Sequence, residues 1–277
     1  MQRKIVLLFC LLLIATMVLV ACKPTPAPES TPVAGYPAPN EPINTTEPAG
    51  YPGPDVVYRI ATDATFPPFE MVDEATKQLT GFDIDLMKAI AQKANIKYEF
   101  VNLPFDPMLA GLSECQYDMA IAAITITEDR QKEFAFSNPY IDAGQIIVIK
   151  KGTDSIKSKA DLNGKVIGAQ LGTTGEIEAK AIEGTTYKPY DTYDLAFLDL
   201  ANGQIDAVIA DYPTALGFIA QNPDKLETVG DKFTNESYGI AICKDKSYLV
   251  DIINPALQAV IDDGTLTELA GKYLTGQ

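Results

Sequence analysis

The chain has 277 residues, a formal charge of −15 and no histidine. So acidic a balance argues against a nucleic-acid partner, because phosphates need a basic surface. Without histidine, Ser-His-Asp and Cys-His catalysis are excluded and the commonest metal ligand is gone, so neither a metal nor a cofactor is expected.

Residues 1–21 read as a signal peptide, with Arg3 and Lys4 ahead of the apolar run 5–20. The run is nearly long enough for a membrane anchor, but Leu19-Val20-Ala21-Cys22 resembles the bacterial lipobox and a polar tract follows at once. Cleavage before Cys22 and acylation of that cysteine would leave an extracytoplasmic protein held to the membrane by lipid. Residues 22–54 carry 10 of the chain's 19 prolines and a repeated Ala-Gly-Tyr-Pro, with no apolar periodicity. Such a tract builds no core and reads as a disordered spacer. Asn44-Thr45-Thr46 and Asn235-Glu236-Ser237 match the glycosylation sequon and, behind a bacterial lipobox, are taken as chance.

The folded part begins at residue 55. Strands are predicted over 56–61 and 98–101, a helix over 81–94 with Phe82, Leu86, Ile90 and Ala94 on one stripe, and a short helix over 107–112. An apolar strand over 119–124 completes a βαβαβ alternation, the mark of a parallel sheet covered on both faces. A lone strand over 144–149 follows. A second unit then starts, with strand 165–169, turn Gly172-Thr173-Thr174, helices 175–182 and 195–201, strand 207–210 and a helix from Pro213. A second lone strand over 238–243 and closing helices over 249–262 and 266–273 end the chain. The expected architecture is α/β with two lobes, 55–143 plus 238–277 and 144–237, joined by the two lone strands so that they bend about a hinge.

Ligands of open α/β sheets collect at the C-terminal ends of strands. Thr125 lies at such an end, with Arg130 one helical turn beyond, a pairing suited to a carboxylate. Gly172-Thr173-Thr174 occupies the matching place in the second unit, where an ordinary N-cap explains Thr173 or Thr174 equally well. Asp211 ends strand 207–210 and reads either as a helix cap before Pro213 or as the counter-ion of an ammonium group. Asp63 and Phe66 follow the first strand. Phe66 and Phe105 read either as core or as the wall of a cleft that favours a cationic or planar side chain.

The segment 61–70, Gly81-Phe82-Asp83-Ile84-Asp85-Leu86, the stretch 125–130, Phe136-Ser137-x-Pro139-Tyr140 and Gly172-Thr173-Thr174 stand in an order and spacing that resemble extracellular solute-binding protein family 3, the polar-amino-acid receptors of ABC importers. The resemblance implies a type II periplasmic-binding-protein-like fold closing on one free amino acid, a permease partner in the membrane, and action as a monomer rather than as an enzyme. It implies that Arg130, the amide of Thr125, Thr173 and Thr174 hold the α-carboxylate. Asp211, Thr125 and the carbonyl of Ala123 would hold the α-ammonium. Phe66 and Phe105 would sandwich the side chain, with Asp63 on its distal donor. Ala123 stands where the family often has glycine, and Gln170 where glutamine-selective relatives tend to carry lysine. A missing lysine together with Asp63 favours a basic amino acid, arginine ahead of lysine, with glutamine as runner-up. In the family fold Cys115 and Cys243 fall at one sheet end, which implies a disulfide between them. The rivals are a cyclohexadienyl dehydratase-like enzyme using Glu70 or Asp63 as acid, and a sensor module.

Overall fold

Strand Val57–Thr62 exposes Val57 and Arg59 and buries Tyr58 and Ile60, then runs wholly inward through Ala61 and Thr62. Inward ends of this kind belong to a central strand, and this one lies second in a five-stranded sheet. The computed structural model describes residues 56–274; the signal peptide, Cys22 and the proline-rich spacer lie outside the described residues. The first sheet orders Lys97–Asn102, Val57–Thr62, Met119–Ala120, Ala241–Cys243 and Phe134–Phe136. Its first three strands run parallel, and Ala241–Cys243 pairs antiparallel with both of its neighbours. A second sheet orders Thr186–Tyr190, Val166–Gln170, Ala207–Asp211, Gln145–Lys150 and Leu226–Val229, parallel across the first three and antiparallel across the rest.

Helices cover each sheet. Phe82–Ala94 buries Phe82, Leu86 and Ile90 as its stripe predicts and packs on Val250–Asp262 and Thr265–Tyr273. It starts at Gly81, at φ 129°, where a Cβ would stand 2.2 Å from the Phe69 carbonyl oxygen. Only glycine fits there. Thr174–Ala181, Tyr193–Ala201 and Tyr212–Gln221 pack on the second sheet. Among the described residues no helix is long and apolar enough to cross a membrane.

Three expectations change. The strands expected alone over 144–149 and 238–243 are sheet members: Gln145–Lys150 lies fourth in the second sheet and Ala241–Cys243 fourth in the first. The chain instead crosses between the sheets through Ile141–Ala143 and Glu236–Tyr238, which pair antiparallel as a two-stranded ribbon. The strand expected over 119–124 pairs only at Met119–Ala120, because Ala123 turns left-handed at φ 47° and carries the chain out of the sheet. Thr186–Tyr190 was not anticipated. It holds Pro189, which an edge strand tolerates and a central one does not. A disulfide joins Cys115 to Cys243, with Cα atoms 5.2 Å apart.

Candidate functional site

The ends of the strands, the helix starts that follow them and the crossing ribbon converge where the halves built on the two sheets meet. Thr127 caps helix Glu128–Glu133 by accepting from the Arg130 amide at 3.1 Å, which points the Arg130 side chain back along the preceding turn. Its guanidinium donates to the Thr125 carbonyl at 2.8 Å in its own half and to the Gly172 carbonyl at 2.8 Å in the other. It also lies 5.4 Å from the centroid of Phe105, within cation–π range. Burial of the guanidinium draws its pKa down to about 10, while Asp211 and Glu236 pull upward, so it stays charged at neutral pH.

Asp211 precedes helix Tyr212–Gln221 but makes no side-chain cap bond, so its carboxylate is not spent on the helix. In the antiparallel register it sits opposite Gln145, whose Nε2 donates to Asp211 Oδ1 at 2.8 Å. The same amide nitrogen donates to Thr174 Oγ1 at 3.0 Å and reaches Glu236 Oε2 at 3.4 Å. Glu236 Oε2 also accepts from Thr125 Oγ1 at 2.9 Å and Thr174 Oγ1 at 2.8 Å. Thr125 is brought there by a bridge to Tyr238 on the crossing ribbon. Asp211 is pushed well above the ordinary carboxylate range, first by burial and then by the charge of Glu236, with Arg130 opposing. The result is a cationic group and a carboxylate cluster facing each other across buried threonine hydroxyls.

Thr173 takes the plainer of its two readings. Its hydroxyl caps helix Thr174–Ala181, accepting from the Glu176 amide at 3.2 Å, and donates to the Gln170 carbonyl at 2.7 Å. Thr174, one residue on, carries the cross-half contacts.

The other end of the site is aromatic and acidic. Phe66 stacks on Phe105 at 5.8 Å and meets Tyr193 edge-on at 5.4 Å. Asp63 accepts from Thr65 Oγ1 at 2.8 Å and from Gln170 Nε2 at 2.8 Å. Gln170 Nε2 also donates to the Asp191 carbonyl at 2.9 Å. Two acceptors on one nitrogen fix which way this amide points. The Oε1 of Gln170 and that of Gln145 are buried acceptors with no partner among the described residues. Burial raises the pKa of Asp63 against the hydrogen bonds from Thr65 and Gln170.

Beneath the site lies a carboxyl pair. Asp83 Oδ2 accepts from the Ala123 amide at 2.8 Å and from the Tyr140 hydroxyl at 2.8 Å. Glu70 is wholly buried close enough to Asp83 to feel its charge, and both of its carboxyl oxygens and Asp83 Oδ1 have no hydrogen-bond partner among the described residues. Burial, then the charges of Asp83 and Asp63, lifts Glu70 well above the carboxylate range, and burial lifts Asp83 to about 6. Two adjacent carboxyls in a dry core share a proton rather than both ionise. The Asp83 bond to the Ala123 amide secures the left-handed turn at Ala123, a conformation costing about 1–2 kcal/mol outside glycine.

Residues 58–276 match the family model of bacterial extracellular solute-binding proteins, family 3. The chain belongs to that family. A putative ABC transporter arginine-binding protein 2 of Escherichia coli K12 is 37% identical over 222 residues, covering 78% of this chain and 89% of the relative. Solved structures of an ancestral arginine-binding protein, one bound to arginine and one to glutamine, are each 45% identical with a TM-score of 0.75. They cover 78% of this chain and 97% of theirs for the first, and 80% and 98% for the second. The architecture is that of the type II periplasmic amino-acid-binding proteins.

In this family-3 chain the site includes three residues that motif reading passed over. Glu236 entered the sequence analysis only as the middle of a sequon. Gln145 lay unremarked within the strand expected over 144–149, and Tyr193 lay outside the helix expected over 195–201. Glu236 and Gln145 lie at or beside the crossing ribbon. The only signal for them was position, beside the segments where the chain crosses between the sheets.

Proposed function

We propose that this protein is the receptor of an amino-acid ABC importer and that its ligand is a basic amino acid, arginine first. The observation that carries the ligand is the distal end of the site. Asp63 and Gln170 present two buried acceptors, the Asp63 carboxylate and the partnerless Gln170 Oε1, beside the stacked Phe66 and Phe105. Among the described residues no cationic side chain contributes a hydrogen bond to either acceptor. A flat guanidinium with five N–H donors suits a carboxylate, an amide oxygen and an aromatic wall together.

The near end supports the orientation. Arg130, with the Thr125 amide and Thr174, would take the α-carboxylate. Asp211, Thr125 and the Ala123 carbonyl would take the α-ammonium. Thr173 would contribute through its place at the helix start, its hydroxyl being committed to the cap. Segments 55–143 with 238–277 and 144–237 would act as lobes bending at the crossing ribbon, and a ligand touching both would favour the closed form. The partner would be a membrane permease, and the mature chain a monomer held to the membrane through lipid on Cys22. A binding role is favoured over dehydratase chemistry because Glu70, one of the two acids that chemistry could use, is sealed in the core beside Asp83, and the other, Asp63, is buried and bonded to Thr65 and Gln170.

The test is a thermal-shift and calorimetric screen of residues 55–277 against the proteinogenic amino acids, ornithine and citrulline, after unfolding and refolding to strip carried-over ligand. Arginine should give the largest shift. A response to glutamine alone would overturn the ligand assignment, and no response to any amino acid would overturn the receptor itself.

A further inference from the structure

The Asp211–Glu236 pair has more carboxylate than a single ammonium partner requires. Glu236 Oε2 is reached by two hydroxyls and lies 3.4 Å from the Gln145 nitrogen that also bonds Asp211 at 2.8 Å, so one amide nitrogen faces both carboxyls. Thr125 belongs to one half, Thr174, Gln145 and Asp211 to the other, and Glu236 to the ribbon between them. The groups facing the pair are the Arg130 guanidinium and the hydroxyls of Tyr193 and Tyr238. Arg130 is a single positive charge set against two carboxyls, and its own hydrogen bonds go to carbonyl oxygens. Asp211 is buried beside the charge of Glu236, and a proton on Asp211 is the cheapest neutraliser.

We propose that Glu236 is a further ligand-contacting residue: with Asp211 it forms a two-carboxyl seat for the α-ammonium, and the ammonium displaces a proton that Asp211 otherwise carries. The proton leaves to solvent, and the ligand's positive charge takes its place, so the charge in the seat is conserved. The burial-raised affinity of Asp211 for protons agrees with this. The partnerless buried Oε1 of Gln145 supplies one more acceptor for the incoming N–H groups. Because Glu236 stands on the crossing ribbon, the residue that senses the ammonium also belongs to the hinge. Ligands with a carboxylate but no α-ammonium would leave the proton in place and bind weakly.

This rests on the amino-acid receptor reading, and calorimetry separates the two. L-Arginine is titrated into the protein at pH 7 in buffers of different ionisation enthalpy. The expected result is proton release on binding, seen as a buffer-dependent heat. Desamino-arginine, which lacks the α-ammonium, should release none. Glu236→Gln keeps the shape and the threonine contacts. It should fold, bind arginine about tenfold or more weakly, and release markedly less proton. Wild-type binding without proton release overturns the proposal, and so does unchanged release and affinity in Glu236→Gln, which would place the proton elsewhere. Absence of arginine binding to the wild type would overturn the receptor reading, and the proposal with it.

Discussion

Gly217 offers a perturbation that separates folding from closure. It lies on helix Tyr212–Gln221 of the second half, and a Cβ there would stand 2.3 Å from the Pro67 carbonyl oxygen, 2.7 Å from the Pro67 carbonyl carbon and 2.8 Å from Pro68 Cδ. Pro67 and Pro68 belong to the first half, on the loop after Phe66. These contacts are backbone and ring, so no flexible side-chain tip can step aside. Within the helix itself alanine is favourable over glycine by about 0.5–1 kcal/mol. Gly217→Ala should therefore leave the isolated second half as stable or more so, and penalise only the state in which the halves meet. Overpacking of this kind costs about 1–3 kcal/mol. At about 1.4 kcal/mol per factor of ten, Kd for arginine should rise by roughly 5- to 150-fold. Calorimetry gives Kd, and a thermal melt without amino acid gives stability. A lower radius of gyration on adding saturating arginine should be smaller in extent than in the wild type. An unchanged Kd would refute the reasoning, since the contact would then be absent from the bound form. A large loss of melting temperature without amino acid would refute it differently, by showing that the halves never part.

Arg130→Ala and Asp211→Asn should each weaken arginine binding by 2–5 kcal/mol, because each leaves a buried charge without its partner; calorimetry with a circular-dichroism check of folding tests this. The Glu70–Asp83 pair should make stability fall with pH. Ordinary carboxyls release their protons near pH 4, whereas Asp83 holds its proton to about 6 and Glu70 beyond the carboxylate range. The native state is then relatively most stable below pH 4 for these groups and loses that stability as pH rises through 6 and above. Glu70→Gln, which removes one of the two carboxyls, should flatten that fall in denaturant titrations across pH 5 to 8; an unaltered slope would count against the shared proton. Replacing Cys115 and Cys243 with serine should cost about 2–4 kcal/mol in urea unfolding.

The strands and helices that carry long apolar runs were readable because burial alone decides them. Strand 207–211 and the Phe82–Ala94 stripe are examples. What periodicity missed are features set by tertiary pairing. Ile121–Ile124 is as apolar as any strand, yet it leaves the sheet because a distant carboxylate, Asp83, takes the Ala123 amide. The crossing ribbon lay beside the strands expected to cross, because Gln145–Lys150 and Ala241–Cys243 find sheet partners that local sequence does not announce. Arg130, Thr125, Thr174, Asp63 and Asp211 converge as their motifs suggested. Thr173 does not bring its hydroxyl, because a helix N-terminus claims the nearest one. Glu236 carried only a sequon taken as chance: its place in the site comes from standing on the ribbon where the chain crosses between the two sheets.

The Cys115–Cys243 bond closes residues 115–243 into a covalent ring. Both crossings and the whole of the second sheet lie inside that ring, while the strand Val57–Thr62 and the helices after Cys243 lie outside it. The second half is thus an insert whose entry and exit stay fastened together even when its own structure melts. A single proteolytic cut anywhere in that insert would leave two fragments of one molecule, separable only after reduction. The first half, for its part, would keep its terminal helices in register throughout.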